Sequence, residues 1–116
     1  MRVILAMAAT VLLTGCVSST MEATRSGSPS AQMDSRKSAE LIAQCVQFSW
    51  QDEAVFGVDA SGYLESREQG GFTVHSRDAE SFVDIVPKSA GTRVDYYAQK
   101  NDSMALRRKA AAATCL

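Results

Sequence analysis

The sequence has little of the material that most enzymatic and nucleic-acid-binding sites use. Its 116 residues include one histidine and three cysteines, and the formal net charge is −1. A near-balanced charge lacks the basic excess with which proteins bind a phosphate backbone, so we expect no nucleic-acid partner. The chain also has no phosphate-binding glycine loop, no H-E-x-x-H and no G-x-S-x-G. We therefore expect no metal and no cofactor, and we predict that the protein is not an enzyme.

The N-terminal residues have the layout of an export signal. Arg2 precedes a run of 11 residues from Val3 to Leu13 that is apolar apart from Thr10. As a helix this run would be about 16 Å long, roughly half of the ~30 Å hydrocarbon core of a bilayer. It is too short to span a membrane, and a basic start before a short apolar run is typical of an export signal. We predict that residues 1–15 form a signal peptide.

The apolar run ends in Leu13-Thr14-Gly15-Cys16, which resembles the lipobox of bacterial lipoproteins. The resemblance implies cleavage before Cys16, a diacylglycerol on its thiol and usually a further acyl chain on its new amine. Two or three acyl chains hold a protein stably at a membrane, whereas one chain holds it only marginally. Val17 follows the cysteine where Asp favours inner-membrane retention in such lipoproteins. We therefore expect a lipid anchor in the outer membrane, facing the periplasm, in preference to the inner membrane.

The segment after the cysteine is rich in small polar residues. Eight of the twenty residues at positions 17–36 are Ser or Thr, and no apolar period is visible. Such a segment buries too little apolar surface to offset the entropy that ordering costs. We predict a lipidated cysteine and flexible tether over residues 16–37, followed by one small domain over residues 38–116.

The domain is predicted to begin and end with a helix. Ser38 is a good N-cap residue, and apolar residues recur at helical spacing from Leu41 onward. Near the C-terminus, Asp102 lies among three candidate caps before a segment rich in Ala, Leu, Arg and Lys, which are strong helix formers. The fold class predicted is α+β: an N-terminal helix, an antiparallel meander of three to five strands and a C-terminal helix, with both helices on one face of the sheet.

Between the two helices the apolar period changes to that of strands. Alternation predicts that Val83, Ile85, Val94 and Tyr96 point into the core, which leaves Asp84 and Arg93 on the other face. We expect those two residues to lie opposite each other as a cross-strand charge pair. The predicted strands are 55–58 and 63–66, as a short hairpin, followed by 72–76, 82–86 and 92–97.

Two cysteines are left once Cys16 is assigned to the anchor. Export places Cys45 and Cys115 in an oxidising compartment, and two cysteines allow one pairing. We predict a Cys45–Cys115 disulfide. The alternatives are a reactive thiol or a metal pair, but the histidine lies on a predicted strand with no C-x-x-C nearby. A Cys45–His75–Asp triad would forfeit the disulfide.

Candidate binding residues lie mainly on the sheet face that carries Asp84, which we name the outer face. His75 is out of phase with the apolar residues of its strand and is expected to be exposed, while Tyr97 has the same parity as Arg93. Exposed aromatic residues beside charges are the usual composition of a contact surface. The simpler interpretation places Trp50 in the core and Tyr97 at a packed edge. The candidate surface comprises Trp50, His75, Asp84, Arg93 and Tyr97, with Thr73 and Phe82 beside them.

The region after the predicted signal resembles small lipoproteins of Gram-negative bacteria. The matching pieces are the segment from Cys45 to Trp50, the Val94-Asp95-Tyr96-Tyr97 strand and Cys115. The resemblance supports the fold and implies no activity. We expect a non-enzymatic lipoprotein that contacts the membrane through its anchor and contacts an envelope protein or helps an envelope assembly. The alternative is a periplasmic inhibitor or small-ligand-binding module.

Overall fold

A five-stranded antiparallel sheet with three helices makes up the described part of the chain. The computed structural model describes residues 12–58 and 60–116, and side chains from residue 16 onward, so most of the predicted signal peptide lies outside the described residues. The strand order is β1-β5-β4-β3-β2. This α+β architecture confirms the predicted fold class. The helices are α1 (Leu12–Arg25), α2 (Ala39–Asp52) and α3 (Ser103–Ala113), and the strands are β1 (Ala31–Ser35), β2 (Tyr63–Ser66), β3 (Phe72–His75), β4 (Ser81–Lys88) and β5 (Gly91–Ala98).

Helix α2 begins where the sequence predicts. The Ser38 hydroxyl accepts a hydrogen bond from the Leu41 amide at 3.4 Å, which satisfies one of the unpaired N–H groups of the first turn. Two of the apolar residues of α2, Leu41 and Phe48, are exposed and lie outside its buried face. Small residues at two buried positions let the helix approach the sheet closely. The buried side chains of α2 are Ala39, Ile42, Ala43, Val46 and Trp50.

The main core lies between the sheet and helices α2 and α3. All four side chains predicted to point inward are buried in it, namely Val83, Ile85, Val94 and Tyr96. The Tyr96 hydroxyl donates to the Ala105 carbonyl oxygen at 2.7 Å, and the indole N–H of Trp50 donates to the Arg108 carbonyl oxygen at 3.0 Å. Because a buried polar group without a partner is costly, these bonds fix the position of α3 on the core.

A disulfide joins Cys45 to Cys115, as predicted from the sequence. The two Cα atoms are 5.7 Å apart, and the bond closes a loop with a sequence separation of 70. Cys45 lies in the middle of α2, and Cys115 is buried just beyond the end of α3. The bond therefore links the first and last elements of the predicted domain.

The segment predicted as a flexible tether is ordered in the structure. Most of α1 and all of β1 fall within residues 16–37. Strand β1 pairs with β5 along its whole length, from Ala31 opposite Tyr96 to Ser35 opposite Thr92. Backbone hydrogen bonds to an existing sheet edge do not depend on apolar side chains, so the low hydrophobicity of this segment was a poor guide.

Two further predictions about the sheet were wrong. Residues Glu53–Phe56 form a 3-10 turn rather than a strand, so β2 pairs with β3 instead of with a partner at 55–58. The β4–β5 turn contains only two residues, which places Asp84 opposite Asp95 and Arg93 opposite Val86. The turn is centred between residues 89 and 90, whereas an Asp84–Arg93 pair would require a turn centred one residue earlier in the chain. The predicted Asp84–Arg93 pair is therefore absent.

Candidate functional site

Helix α1 covers the outer face of the sheet. Met21 is buried in a small cluster with Phe82, Tyr97 and Ala79, and Val17 packs against this cluster. Val17 and Met21 are four residues apart, and Arg25 follows after four more, so all three lie on one side of the helix. The sequence suggested that the outer face is an open binding surface, but in this structure α1 covers it.

Arg25 makes the central polar contact between α1 and the sheet. Its Nε donates to Asp84 Oδ2 and its Nη2 donates to Asp84 Oδ1, both at 2.7 Å. Thr73 Oγ1 donates to the same Oδ1 at 2.8 Å, and the guanidinium carbon lies 5.0 Å from the centre of the Phe82 ring. The pKa of Arg25 is raised above its ordinary value, mainly by the hydrogen bond to Asp84, although burial acts in the opposite direction. The guanidinium of Arg25 is thus held by two hydrogen bonds to Asp84 and also by its contact with the Phe82 ring.

A second carboxylate lies directly opposite Asp84. Asp95 is its cross-strand partner on β5, and both residues are almost completely buried, at 4% exposure for Asp84 and 5% for Asp95. Like charges in such a pair repel each other. Asp95 has its own donors, which are Arg93 Nε at 3.1 Å and Gln32 Nε2 at 2.9 Å. Two buried carboxylates thus lie on the outer face: Asp95 is paired with side chains of the sheet, and Asp84 is paired with Arg25 of α1.

Two stacked aromatic rings form the apolar part of this site. The Phe82 and Tyr97 rings lie 4.8 Å apart with an interplanar angle of 13°. The pKa of Tyr97 is raised, first by burial and then by the negative charges of Asp84 and Asp95. Aromatic rings beside a carboxylate suit a ligand that combines an apolar group with a cation.

The structure brings together only part of the candidate surface predicted from the sequence. Asp84 and Tyr97 lie in the site, and Arg93 lies at its edge beside Asp95. Trp50 does not belong to it, because its side chain is in the main core with 1% exposure. Arg25 was not predicted as a site residue, because it falls within the segment predicted to be a flexible tether. An arginine four residues after an apolar residue was the available signal.

His75 is buried, contrary to the prediction that it is exposed. Its Nε2 lies 3.1 Å from Glu65 Oε1, and its Nδ1 lies 3.2 Å from the Ser76 carbonyl oxygen. The Tyr63 ring is 5.2 Å away, centre to centre. Both ring nitrogens therefore face oxygen atoms, and the imidazole links β2 to the end of β3.

An open groove runs between α1 and the β2–β3 hairpin. Its volume is about 420 Å³, and its walls are mostly polar, including Glu22, Arg25, Arg67 and Glu68. Arg67 Nη1 is buried with no hydrogen-bond acceptor among the described residues. Two of the neighbouring carboxylates have other partners, because Glu22 contacts Arg25 and Glu65 contacts His75. The charge of Arg67 is thus left without a close counterion within the described groove.

Cys16 lies in the first half of α1 and is exposed. Within residues 12–58 and 60–116, no helix has the length and apolar character needed to cross a membrane. The same residues contain no group of three or more His, Cys, Asp or Glu side chains placed to hold a metal ion.

Comparisons with protein-family models, with curated proteins and with solved structures find no match to this chain. No activity or partner can therefore be carried over from a relative. Three features of the chain bear on its function, namely the sequence around Cys16, the Cys45–Cys115 disulfide, and the charged and aromatic site beneath α1.

Proposed function

We propose that the chain is an exported lipoprotein, acylated at Cys16 and held at the outer membrane facing the periplasm. Its domain acts there as a non-enzymatic protein-interaction or envelope-assembly module. The observation that carries this proposal is the short apolar run that ends in Leu13-Thr14-Gly15-Cys16. The exposure of Cys16 is compatible with modification of its thiol.

The disulfide supports export. Disulfides persist in the periplasm and other oxidising compartments and are rare where the cytosol keeps thiols reduced. Cys45 and Cys115 are bonded, and Cys16 is the remaining cysteine of the sequence. Cys16 lies directly after the signal-like segment. This position suits it as the attachment point for the lipid.

The polar groups of the outer face support an interaction role over a catalytic one. Asp84, Asp95 and His75 each contact a donor or acceptor within the fold, and none of them adjoins an exposed nucleophile in the contacts described. Catalytic groups need access to a substrate and a proton-transfer partner positioned next to it. Groups that satisfy each other under a covering helix are better suited to recognition.

Fractionation of cells tests the anchor. We expect the wild-type protein to partition into detergent and to sediment with outer membranes, and the Cys16→Ser variant to lose both properties. Ser18→Ala, two residues further along the chain, is the matched control and leaves partitioning unchanged. Val17→Asp is expected to move the protein to the inner membrane. Detergent partitioning of Cys16→Ser equal to that of the wild type contradicts the proposal.

Crosslinking in living cells tests the interaction role. A photo-reactive residue at position 93, at the edge of the outer face, is expected to yield a discrete adduct with one envelope protein. The same residue at position 41, exposed on α2, is the control and is expected not to yield that adduct. Adducts that are absent at position 93, or identical at both positions, contradict the interaction role of this face.

The groove beside Arg67 favours a second candidate, a module that binds a small anionic ligand. A guanidinium without a close counterion is the feature that would attract a carboxylate or phosphate group. Titration calorimetry with acetate and inorganic phosphate as probes is expected to show saturable heat that the Arg67→Gln variant lacks. Equal heats for the two proteins exclude Arg67 as the anion-binding group.

A further inference from the structure

We propose that Asp84, Thr73 and Phe82 form a receptor for an arginine side chain. Arg25 occupies this receptor in the structure, and an arginine of a partner protein occupies it when α1 leaves the sheet. The inference deepens the proposed interaction role and rests on it for the partner's location in the cell envelope.

The receptor matches a guanidinium rather than an ammonium group. Two parallel N–H groups of Arg25 meet the two oxygens of Asp84 at 2.7 Å each, and the guanidinium lies near the face of Phe82. Only arginine has a planar fork that can form two such hydrogen bonds and also lie against a ring. A lysine could reach the same carboxylate as a point charge but would lose one of the two bonds.

The receptor belongs to the sheet and does not depend on α1. Thr73 on β3 and Asp84 on β4 are direct cross-strand partners, and the Thr73 hydroxyl orients the carboxylate through a 2.8 Å hydrogen bond. Strands β3 and β4 have neighbours on both sides in the strand order. Departure of α1 therefore exposes a preformed site instead of dismantling it.

Helix α1, which covers the receptor, is weakly stabilised. Cleavage before Cys16 would leave residues 16–25 of α1, and isolated helices shorter than about 12–15 residues are marginal in water. This stretch is also rich in Ser and Thr, which are weaker helix formers than Ala or Leu. Its apolar contact with the sheet is made by Met21 and Val17. Helix formation and occupation of the receptor by Arg25 are therefore expected to be one coupled event.

Helix α1 indicates what the partner presents. Met21 packs on the stacked rings of Phe82 and Tyr97, and Arg25 reaches Asp84 one helical turn later. A competing partner would need the same two groups, which are an apolar side chain followed four residues later by arginine on a helix.

Competition with a peptide tests the receptor directly. The probe is a labelled peptide of residues 17–27, and the proteins are wild type and Arg25→Ala, each purified from cells in detergent. Vacating the receptor is expected to increase peptide affinity by about tenfold or more, because hydrogen bonds to a charged group are regained. A peptide with lysine in place of arginine is expected to bind Arg25→Ala about tenfold more weakly than the original peptide.

Three variants act as controls for the peptide experiment. Arg36→Ala removes an exposed arginine outside the site and is expected to bind the peptide as the wild type does. Asp84→Asn, combined with Arg25→Ala, is expected to abolish the gain in affinity. Should that variant fail to fold by circular dichroism, Thr73→Val in the same background is expected to reduce the gain. Equal affinity of wild type and Arg25→Ala, or equal binding of the two peptides, overturns the proposal.

Hydrogen exchange measures the weakness of the cover independently. Amides of residues 17–25 are expected to exchange about a hundredfold faster than those of Val83 and Ile85, because regions with few buried contacts open locally. Exchange of the α1 amides at the rate of β4 contradicts a displaceable helix. Neither readout requires an acyl chain, so failure here is separable from failure of the lipoprotein proposal, which fatty-acid labelling at Cys16 decides.

Discussion

Reduction of the Cys45–Cys115 disulfide should remove a large share of the stability of this domain. The bond closes a loop with a sequence separation of 70. For a loop of that length, the chain-entropy relation gives a loss of about 4.4 kcal/mol at 25 °C. Small domains have total stabilities of roughly 5–15 kcal/mol, so the reduced protein is expected to be close to its unfolding threshold.

Urea unfolding monitored by tryptophan fluorescence measures this loss. Trp50 is the one tryptophan in the sequence, and its buried indole bonds to α3, so its emission reports the α2–α3 contact. With an m-value of about 1.5–2 kcal/mol/M, the loss corresponds to a fall of roughly 2–3 M urea in the midpoint. The Cys45→Ala/Cys115→Ala variant is the control, because reductant should leave it unchanged. A loss below about 1 kcal/mol in the wild type refutes the entropy argument.

Three further outcomes follow from named contacts. The pKa of Tyr96 is raised, chiefly by burial, so above its ordinary pKa of 10.0 the unfolded state releases a proton that the folded state keeps. The contribution of Tyr96 to stability is therefore fully present below about pH 10 and is lost as pH rises further. Tyr96→Phe should flatten this decline in urea unfolding measured from pH 8 to 11. A Cβ at Gly71 would lie 2.0 Å from a β4 carbonyl oxygen, whereas at Gly70 it meets nothing within 4 Å. Both have positive φ, so Gly71→Ala should cost about 1–3 kcal/mol more than Gly70→Ala in thermal unfolding, and equal losses contradict the clash. Arg25→Ala should lower the unfolding free energy measured in urea by at most about 2 kcal/mol, because Asp84 is hydrated once α1 leaves. A loss of roughly 3–5 kcal/mol, which is typical of breaking a permanently buried pair, contradicts this expectation.

The parts of the fold that could be predicted are those encoded by local periodicity. The N-cap at Ser38 and the inward side chains Val83 and Val94 follow from spacing along the chain, which is visible in the sequence. The disulfide followed from the number of cysteines left after one was assigned to the anchor. None of these predictions required knowledge of which distant strands pair.

The parts that could not be predicted depend on distant partners. Strand β1 exists because its backbone pairs with β5, about sixty residues away, and its own composition resembles a loop. The position of Asp84 opposite Asp95 depends on a two-residue turn between β4 and β5 that the sequence does not mark clearly. Since α1 was not expected, its arginine and the burial of the outer face were also missed. The residues of the site were thus partly found, but its cover was not.

Metabolic labelling with a radioactive fatty acid decides whether Cys16 is acylated. We predict that the wild-type protein incorporates label and that the Cys16→Ser variant, expressed at the same level, incorporates none. Ser18→Ala should be labelled as strongly as the wild type. An unlabelled wild-type protein, or label retained by Cys16→Ser, would contradict the assignment of Cys16 as the membrane anchor.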